Sequence, residues 1–226
     1  MFSTISGWFS DPVGQLKKII MLLPAVLIGL TVHEWAHAFA AYRCGDPTAK
    51  NMGRLTLNPI SHLDPFGFLG LLFLGFGWAK PVPVNPRNFR HFKRDDIIVS
   101  AAGVVMNFMT AFVFAILTWV LYAIFPGLFA NGVMQTVLSY VISINLSLMV
   151  FNLIPLYPLD GSRILDALLM HRAPRVCMWL HSYGRFILLG LLVLGLFSRI
   201  LSPIVNWFFS WMWSAGYGVY RLMTGM

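Results

Sequence analysis

Residues 97–125 read IIVSAAGVVMNFMTAFVFAILTWVLYAIF, with no charged side chain among them. About 20 apolar residues in helix cross a bilayer, and this run exceeds that length. A second uncharged run, Val133 to Ile154, matches it. Working outward, the 226-residue chain is 58% apolar, 15% aromatic and only 11% charged, with a mean hydropathy of +0.74. Soluble domains carry about a quarter charged residues, so this composition excludes an ordinary cytosolic, disordered or collagen-like protein. Two cysteines, Cys44 and Cys177, form no CxxC pattern and read as free thiols. The chain is read as an all-α polytopic membrane protein.

The net charge of +8 comes from 16 Lys and Arg against 8 Asp and Glu. These cations punctuate the apolar runs instead of forming a soluble stripe, so they indicate topology and contact with membrane lipids, and no nucleic acid. The first fifteen residues lack the basic start and cleavage site of a signal peptide, and the N-terminus is expected to be retained. Lys80 to Asp96 is rich in Lys and Arg whereas Pro126 to Gly132 is uncharged, which puts the first segment on the cytoplasmic side. Residues 97–125 then run outward and 133–154 return. About five transmembrane helices are expected in one domain, 1–226, with core helices about 19–42, 97–125 and 133–157. Further helices are expected over about 176–222, built from Phe186 to Ser198, between Arg185 and Arg199, and from Ile200 to Tyr220. The region of about 52–86 is expected to hold short membrane-associated β and re-entrant elements. Arg54 to Leu57 alternates like a strand, and Phe66 to Ala79, punctuated by Gly67, Gly70, Gly75 and Gly77, is too short to span.

Inside the first apolar segment stands His33-Glu34-Trp35-Ala36-His37. Two histidines four apart on a helix project from one face and can hold one zinc ion, with the glutamate adjacent as a base. Zinc acidifies water and polarises a carbonyl, so peptide hydrolysis follows from this grouping. Glu34 is the only glutamate in the chain, and an ionisable group within an apolar helix is costly. Interhelical hydrogen bonding alone would explain a lone polar residue, but three such groups in five residues favour a metal.

A catalytic zinc site needs a third protein ligand and an open fourth position. His62, Asp64, Asp95, Asp96, Asp160, Asp166, His171 and His181 are candidates. Membrane depth favours Asp160, which follows the returning segment 133–154 on the same side as His33 and His37. Pro155, Pro158 and Gly161 break the helix there and let a carboxylate turn back. Asp95 and Asp96 sit among cations and read as solvated, salt-bridged groups, while His62, His91, His171 and His181 read as interfacial polar residues.

Together with Asn152, Leu159-Asp160-Gly161 and the HEWAH helix resemble the site-2 protease family of intramembrane zinc metalloproteases. Gly53-Arg54-Leu55-Thr56-Leu57-Asn58-Pro59, Asp64-Pro65-Phe66-Gly67, Gly77 to Asn85 and Asn152-Leu153-Ile154-Pro155 extend the likeness over nearly the whole chain, in the manner of compact members without an appended soluble domain. The resemblance implies a three-helix catalytic core, one zinc held by His33, His37 and Asp160, Glu34 as general base and acid, and Asn152 as a catalytic residue that positions substrate or stabilises the oxyanion. An uncharged amide donor suits that last role. Where the family has Gly-Pro-x-x-Asn, this chain reads Gly103-Val104-Val105-Met106-Asn107, so no proline kink is expected and Asn107 is not assigned the family's structural role.

The expected function is hydrolysis of peptide bonds in or near transmembrane segments, in the cell membrane, with the site toward the cytoplasm and a transmembrane protein or peptide as substrate. Extended pieces at Leu55 to Leu57 and Val82 to Val84 are expected to pair with unwound substrate. A metal transporter and an inactive helix-binding scaffold are the rival classes, and neither needs Glu34 beside the histidine pair.

Overall fold

A computed structural model describes residues 9–74 and 77–225. Gly75 of the expected re-entrant piece, and residues 1–8 of the expected retained N-terminus, lie outside them. Helix α1 spans Pro12–Arg43 and is capped by Asp11, whose Oδ1 accepts from the Gly14 amide at 2.9 Å, with proline in the first turn. It is followed by the short α2 (Pro65–Leu74), the long α3 (Phe92–Ile124), α4 (Val133–Asn152), α5 (Asp160–Leu169), α6 (Pro174–Val193) and α7 (Leu196–Thr224).

Four of the described helices, α1, α3, α4 and α6, are long and apolar enough to cross a membrane. The chain is a multi-pass, all-α membrane protein. Helix α7 is long, but its apolar residues share the helix with a polar face; it lies along α3 and α4, contributing Val205 and Met212 to their core. Helices α1, α3 and α4 each pack on the other two, which is the expected three-helix core. On α3 the two faces separate cleanly. Val105, Met109, Val113 and Leu117 are exposed four residues apart, toward lipid, while Val104, Asn107, Ala111, Ala115 and Thr118 are buried. Small residues permit close approach between helices: a Cβ on Gly29 would lie 2.9 Å from Leu148 Cδ1, and one on Gly216 would lie 2.6 Å from Ala115 O.

Several boundaries move. The third core helix stops at Asn152, short of 157, because Pro155 and Pro158 cannot continue the ladder. Helix α6 begins at Pro174, so Arg185 lies within a helix and does not flank one. No strand forms among the described residues; the expected β character reduces to a single antiparallel bridge between Leu63 and Ala79. Pro81 and Pro83 lack the N–H a ladder needs, and the Arg54 guanidinium reaches the Lys80 carbonyl at 2.7 Å in place of backbone pairing. The short α2 does not span; Gly67 lets it lie on the Trp78 backbone, where a Cβ would sit 2.1 Å from Trp78 O.

Candidate metal centre

His33 and His37 lie one turn apart on the face of α1 that meets α3, and both are buried. Across from them α3 presents Val99, Gly103 and Asn107, again at four-residue spacing. His37 Nδ1 donates to Val99 O at 2.7 Å, and His33 Nδ1 donates to Asn107 Oδ1 at 3.1 Å. Gly103 leaves room for both rings, since a Cβ there would lie 2.6 Å from His33 Cε1 and 2.6 Å from His37 Nε2.

These bonds fix the tautomers. With the protons on Nδ1, each Nε2 carries a bare lone pair. The two Nε2 atoms lie 3.0 Å apart, and Asp160 Oδ2 lies 3.2 Å from His33 Nε2 and 3.1 Å from His37 Nε2. Asp160 Oδ2 is buried and has no hydrogen-bond donor. With both imidazoles neutral, three lone pairs converge on one point, an arrangement that favours a cation between them. A tetrahedral ion with bonds of about 2.0–2.1 Å holds its ligands about 3.3 Å apart, close to this triangle. Among the described residues this is the one group of three such side chains placed to hold a metal ion.

Asp160 arrives from the turn that follows α4. It opens α5, where its charge suits the helix N-terminus, and Gly161 lets that helix press on the chain just before it: a Cβ would lie 2.4 Å from Leu153 O. Arg163 of α5 pairs with Asp96 of α3 at 3.1 Å, and Tyr157 of the turn is stacked on by His181 and packed against by Gly184 of α6.

Glu34, also buried, is held by a group that the sequence reading did not single out for this purpose. The Val82 amide donates to Glu34 Oε2 at 2.7 Å, and it is the one N–H available in Pro81-Val82-Pro83. The expected pairing of Val82 with substrate is thus preempted by Glu34 in this state. The segment after it is pinned by Asp46, whose carboxylate accepts from Asn85 N at 2.7 Å, Asn88 Nδ2 at 2.8 Å and both the amide and hydroxyl of Thr48. Burial raises the Asp46 pKa, but these donors outweigh it and hold the carboxyl below the usual aspartate range.

Of the other candidates, none joins the three ligating atoms. Asp95 is buried, against the solvated reading: the His91 amide at 2.8 Å and Arg94 at 3.1 Å satisfy it. Asp64 caps α2 through the Gly67 amide. His62 is buried instead of interfacial, with Nε2 on Thr56 O at 2.8 Å. Asp166 pairs with His181, and His171 is exposed. Asn152 is the last residue of α4, and its amide donates to Leu148 O at 3.0 Å. Asn107, which the sequence left without a role, partners His33 from one helical turn beyond Gly103, independent of the missing proline. Both cysteines are free and buried, and burial followed by the nearby Asp95 carboxylate raises the Cys44 thiol pKa, which suits an inert thiol.

Comparison with known proteins then decides the family. The chain is 43% identical over 194 residues to "Putative zinc metalloprotease YwhC" of Bacillus subtilis (strain 168), covering 84% of this chain and 88% of that protein. The chain belongs to peptidase family M50. The M50 family profile matches residues 121–191, the part that carries Asn152 and Asp160, and M50 is the site-2 protease family that the motifs resemble. "Putative zinc metalloprotease Rip2" of Mycobacterium tuberculosis (strain ATCC 25618 / H37Rv) is 30% identical over 212 residues, 91% of this chain and 76% of that protein. Its namesake in Mycolicibacterium smegmatis (strain ATCC 700084 / mc(2)155) is 28% identical over 211 residues, 91% of this chain and 79% of that protein. No solved structure matches the chain significantly.

Proposed function

We propose that this M50 peptidase is a zinc-dependent intramembrane endopeptidase that hydrolyses peptide bonds in or near transmembrane segments, with its site toward the cytoplasm. The observation that carries the reading is the convergence of His33 Nε2, His37 Nε2 and Asp160 Oδ2, at 3.0–3.2 Å from one another. Two imidazoles and one carboxylate are a donor set suited to zinc, and three protein ligands leave the fourth position that a catalytic site requires. His33, His37 and Asp160 would hold the ion, with Asn107 and the Val99 carbonyl keeping both imidazoles in the ligating tautomer.

Zinc, when bound there, supplies Lewis acidity, which acidifies water and polarises the scissile carbonyl. Glu34 takes the proton of the attacking water and delivers it to the leaving amine. The Val82 N–H fixes one carboxylate oxygen of Glu34, so the side chain is oriented before substrate arrives. Asn152 bonds Leu148 O through one amide hydrogen and offers the second to the oxyanion. Enclosure by α1, α3 and α4 lowers the local dielectric and strengthens each of these interactions.

The test pairs detergent-purified wild type with Glu34→Gln on a synthetic transmembrane peptide, with bound zinc measured in both. Expected are about one zinc per chain in each and cleavage by wild type alone. Equal cleavage by both would remove Glu34 from the mechanism, and absence of zinc from wild type would overturn the metal assignment.

A further inference from the structure

Between the three-helix core and α6 lies an apolar cavity of about 570 Å³. This is within the range of about 300–1,000 Å³ typical of ligand sites. Its walls include Val26 and Leu30 of α1, Leu148 and Phe151 of α4, Leu159 next to Asp160, and Leu189 of α6. One charged residue lines it, Arg185.

Arg185 is misplaced for a lipid anchor. It sits in the interior of the spanning helix Pro174–Val193, about 16 Å along the axis from the first residue at 1.5 Å per residue. Its neighbour Gly184 fixes its level: a Cβ there would lie 2.9 Å from Tyr157 N and 3.0 Å from Tyr157 O, so α6 touches the turn three residues before Asp160. The Arg185 guanidinium lies over the Tyr157 ring at 5.3 Å, and among the described residues it makes no ion pair. The side chain is exposed, and a cation carried on a spanning helix without a carboxylate partner, at the edge of an apolar cavity, is open to an anion from outside the chain.

We infer that this cavity receives the apolar membrane segment of a substrate, and that Arg185 reads an acidic side chain close to its scissile bond; the inference rests on the peptidase reading above. The packing of Gly184 on the Tyr157 backbone sets Arg185 beside the metal-site turn, which favours a peptide carboxylate over a lipid phosphate. The cavity wall also runs directly into Leu159-Asp160, so an occupant there is delivered to the ligating atoms. An aspartate in a transmembrane segment is costly in lipid, and a cation at the cavity's edge turns that cost into preference for docking.

The experiment measures binding, so that it stands apart from hydrolysis. Leu/Ala transmembrane peptides carrying Asp, Asn or Lys at successive positions of their cytoplasmic half are titrated against zinc-loaded Glu34→Gln protein in detergent. At one register Asp is expected to bind about tenfold more tightly than the isosteric Asn. Arg185→Met, which keeps an unbranched apolar stem and removes the charge, is expected to bring that ratio to about one, and Arg185→Glu to shift preference to Lys. Equal binding of Asp and Asn at every register, a result that needs no variant of Arg185, would overturn the inference. So would discrimination that survives Arg185→Met. Native mass spectrometry supplies the other arm: an anionic phospholipid bound to wild type and lost from Arg185→Met, with no peptide discrimination, would reassign the cavity to lipid. If zinc-loaded wild type binds the Asp peptide selectively and never cuts it, the docking site stands and the peptidase reading falls.

Discussion

The two walls of the metal centre are made of different material. One is a face of α3, where Val99, Gly103 and Asn107 recur every four residues and are buried by regular helix packing. The other is a pair of turns: Pro81-Val82-Pro83 brings an amide to Glu34, and residues 155–160 bring Asp160. The helix wall is held by its own backbone ladder and by α1 and α4. The turns are held by borrowed contacts, from Asp46 for the first and from His181, Gly184 and Arg163 for the second. The histidines are therefore preset by the fold, whereas Glu34 and Asp160 depend on anchors distant in sequence.

A matched pair of glycine substitutions tests this contrast with the largest effect. Gly103→Leu places atoms where the two imidazoles now sit, and the helix wall has nowhere to move. Bound zinc is expected to fall close to zero, with an overpacking penalty of about 1–3 kcal/mol in thermal unfolding. Gly184→Leu crowds the Tyr157 backbone, but α6 is largely exposed along its length and can tilt outward. Zinc affinity is then expected to drop by about tenfold, in the range typical of disturbed supporting contacts. Equal losses in both proteins, read by zinc titration, would mean that the turn wall is as rigid as the helix wall.

Asn107 sharpens the contrast from the helix side. Asn107→Ala removes the acceptor that keeps His33 in its ligating tautomer and is expected to weaken zinc binding by about 10–100-fold. Asn107→Asp restores an acceptor for His33 Nδ1 and is expected to recover affinity to within a few fold of wild type. Failure of the aspartate to rescue would reduce Asn107 to a packing role.

The same division explains what was legible in the sequence. Periodic signals carried the helix wall: the uncharged run 97–125 marked a span, the His33/His37 spacing marked one helix face, the break at Pro155 and Pro158 drew Asp160 to the histidines, and the three-helix core came from the family resemblance. Local pattern failed where a contact crosses the chain. Val82 donating to Glu34 spans 48 residues, and nothing near Val82 marks its amide as different from any other. Arg54 to Leu57 has strand alternation, yet the segment its arginine meets contains Pro81 and Pro83, which lack the N–H a ladder needs, and no strand forms there. Arg185 looked like a membrane boundary because charge was read as an end signal; Pro174 starts the helix earlier and carries the arginine into the span.

Asp46 tests the turn wall with the smallest expected effect. Its carboxylate ties residues 85–88 to the end of α1, and the chain reaches Val82 only three residues earlier. Because its folded pKa is depressed below the unfolded value near 3.8, the charged form is the one the fold stabilises. The sign follows from linkage: the stabilisation is complete above the unfolded pKa and is lost as pH falls through the folded one. Asp46→Asn keeps the size of the side chain but replaces an acceptor oxygen with a donor and removes the charge, and is expected to cost about 1–3 kcal/mol near neutrality. The gap in unfolding temperature between wild type and Asp46→Asn should therefore stay constant from pH 7 down to about 5 and narrow below pH 4. Peptide cleavage measured alongside should fall more than zinc content, because this anchor serves Glu34 and leaves untouched the contacts of His33 and His37 with α3. A proportional loss of zinc and cleavage would show that the two walls move together, and that the separation between preset ligands and a borrowed base does not hold in this peptidase.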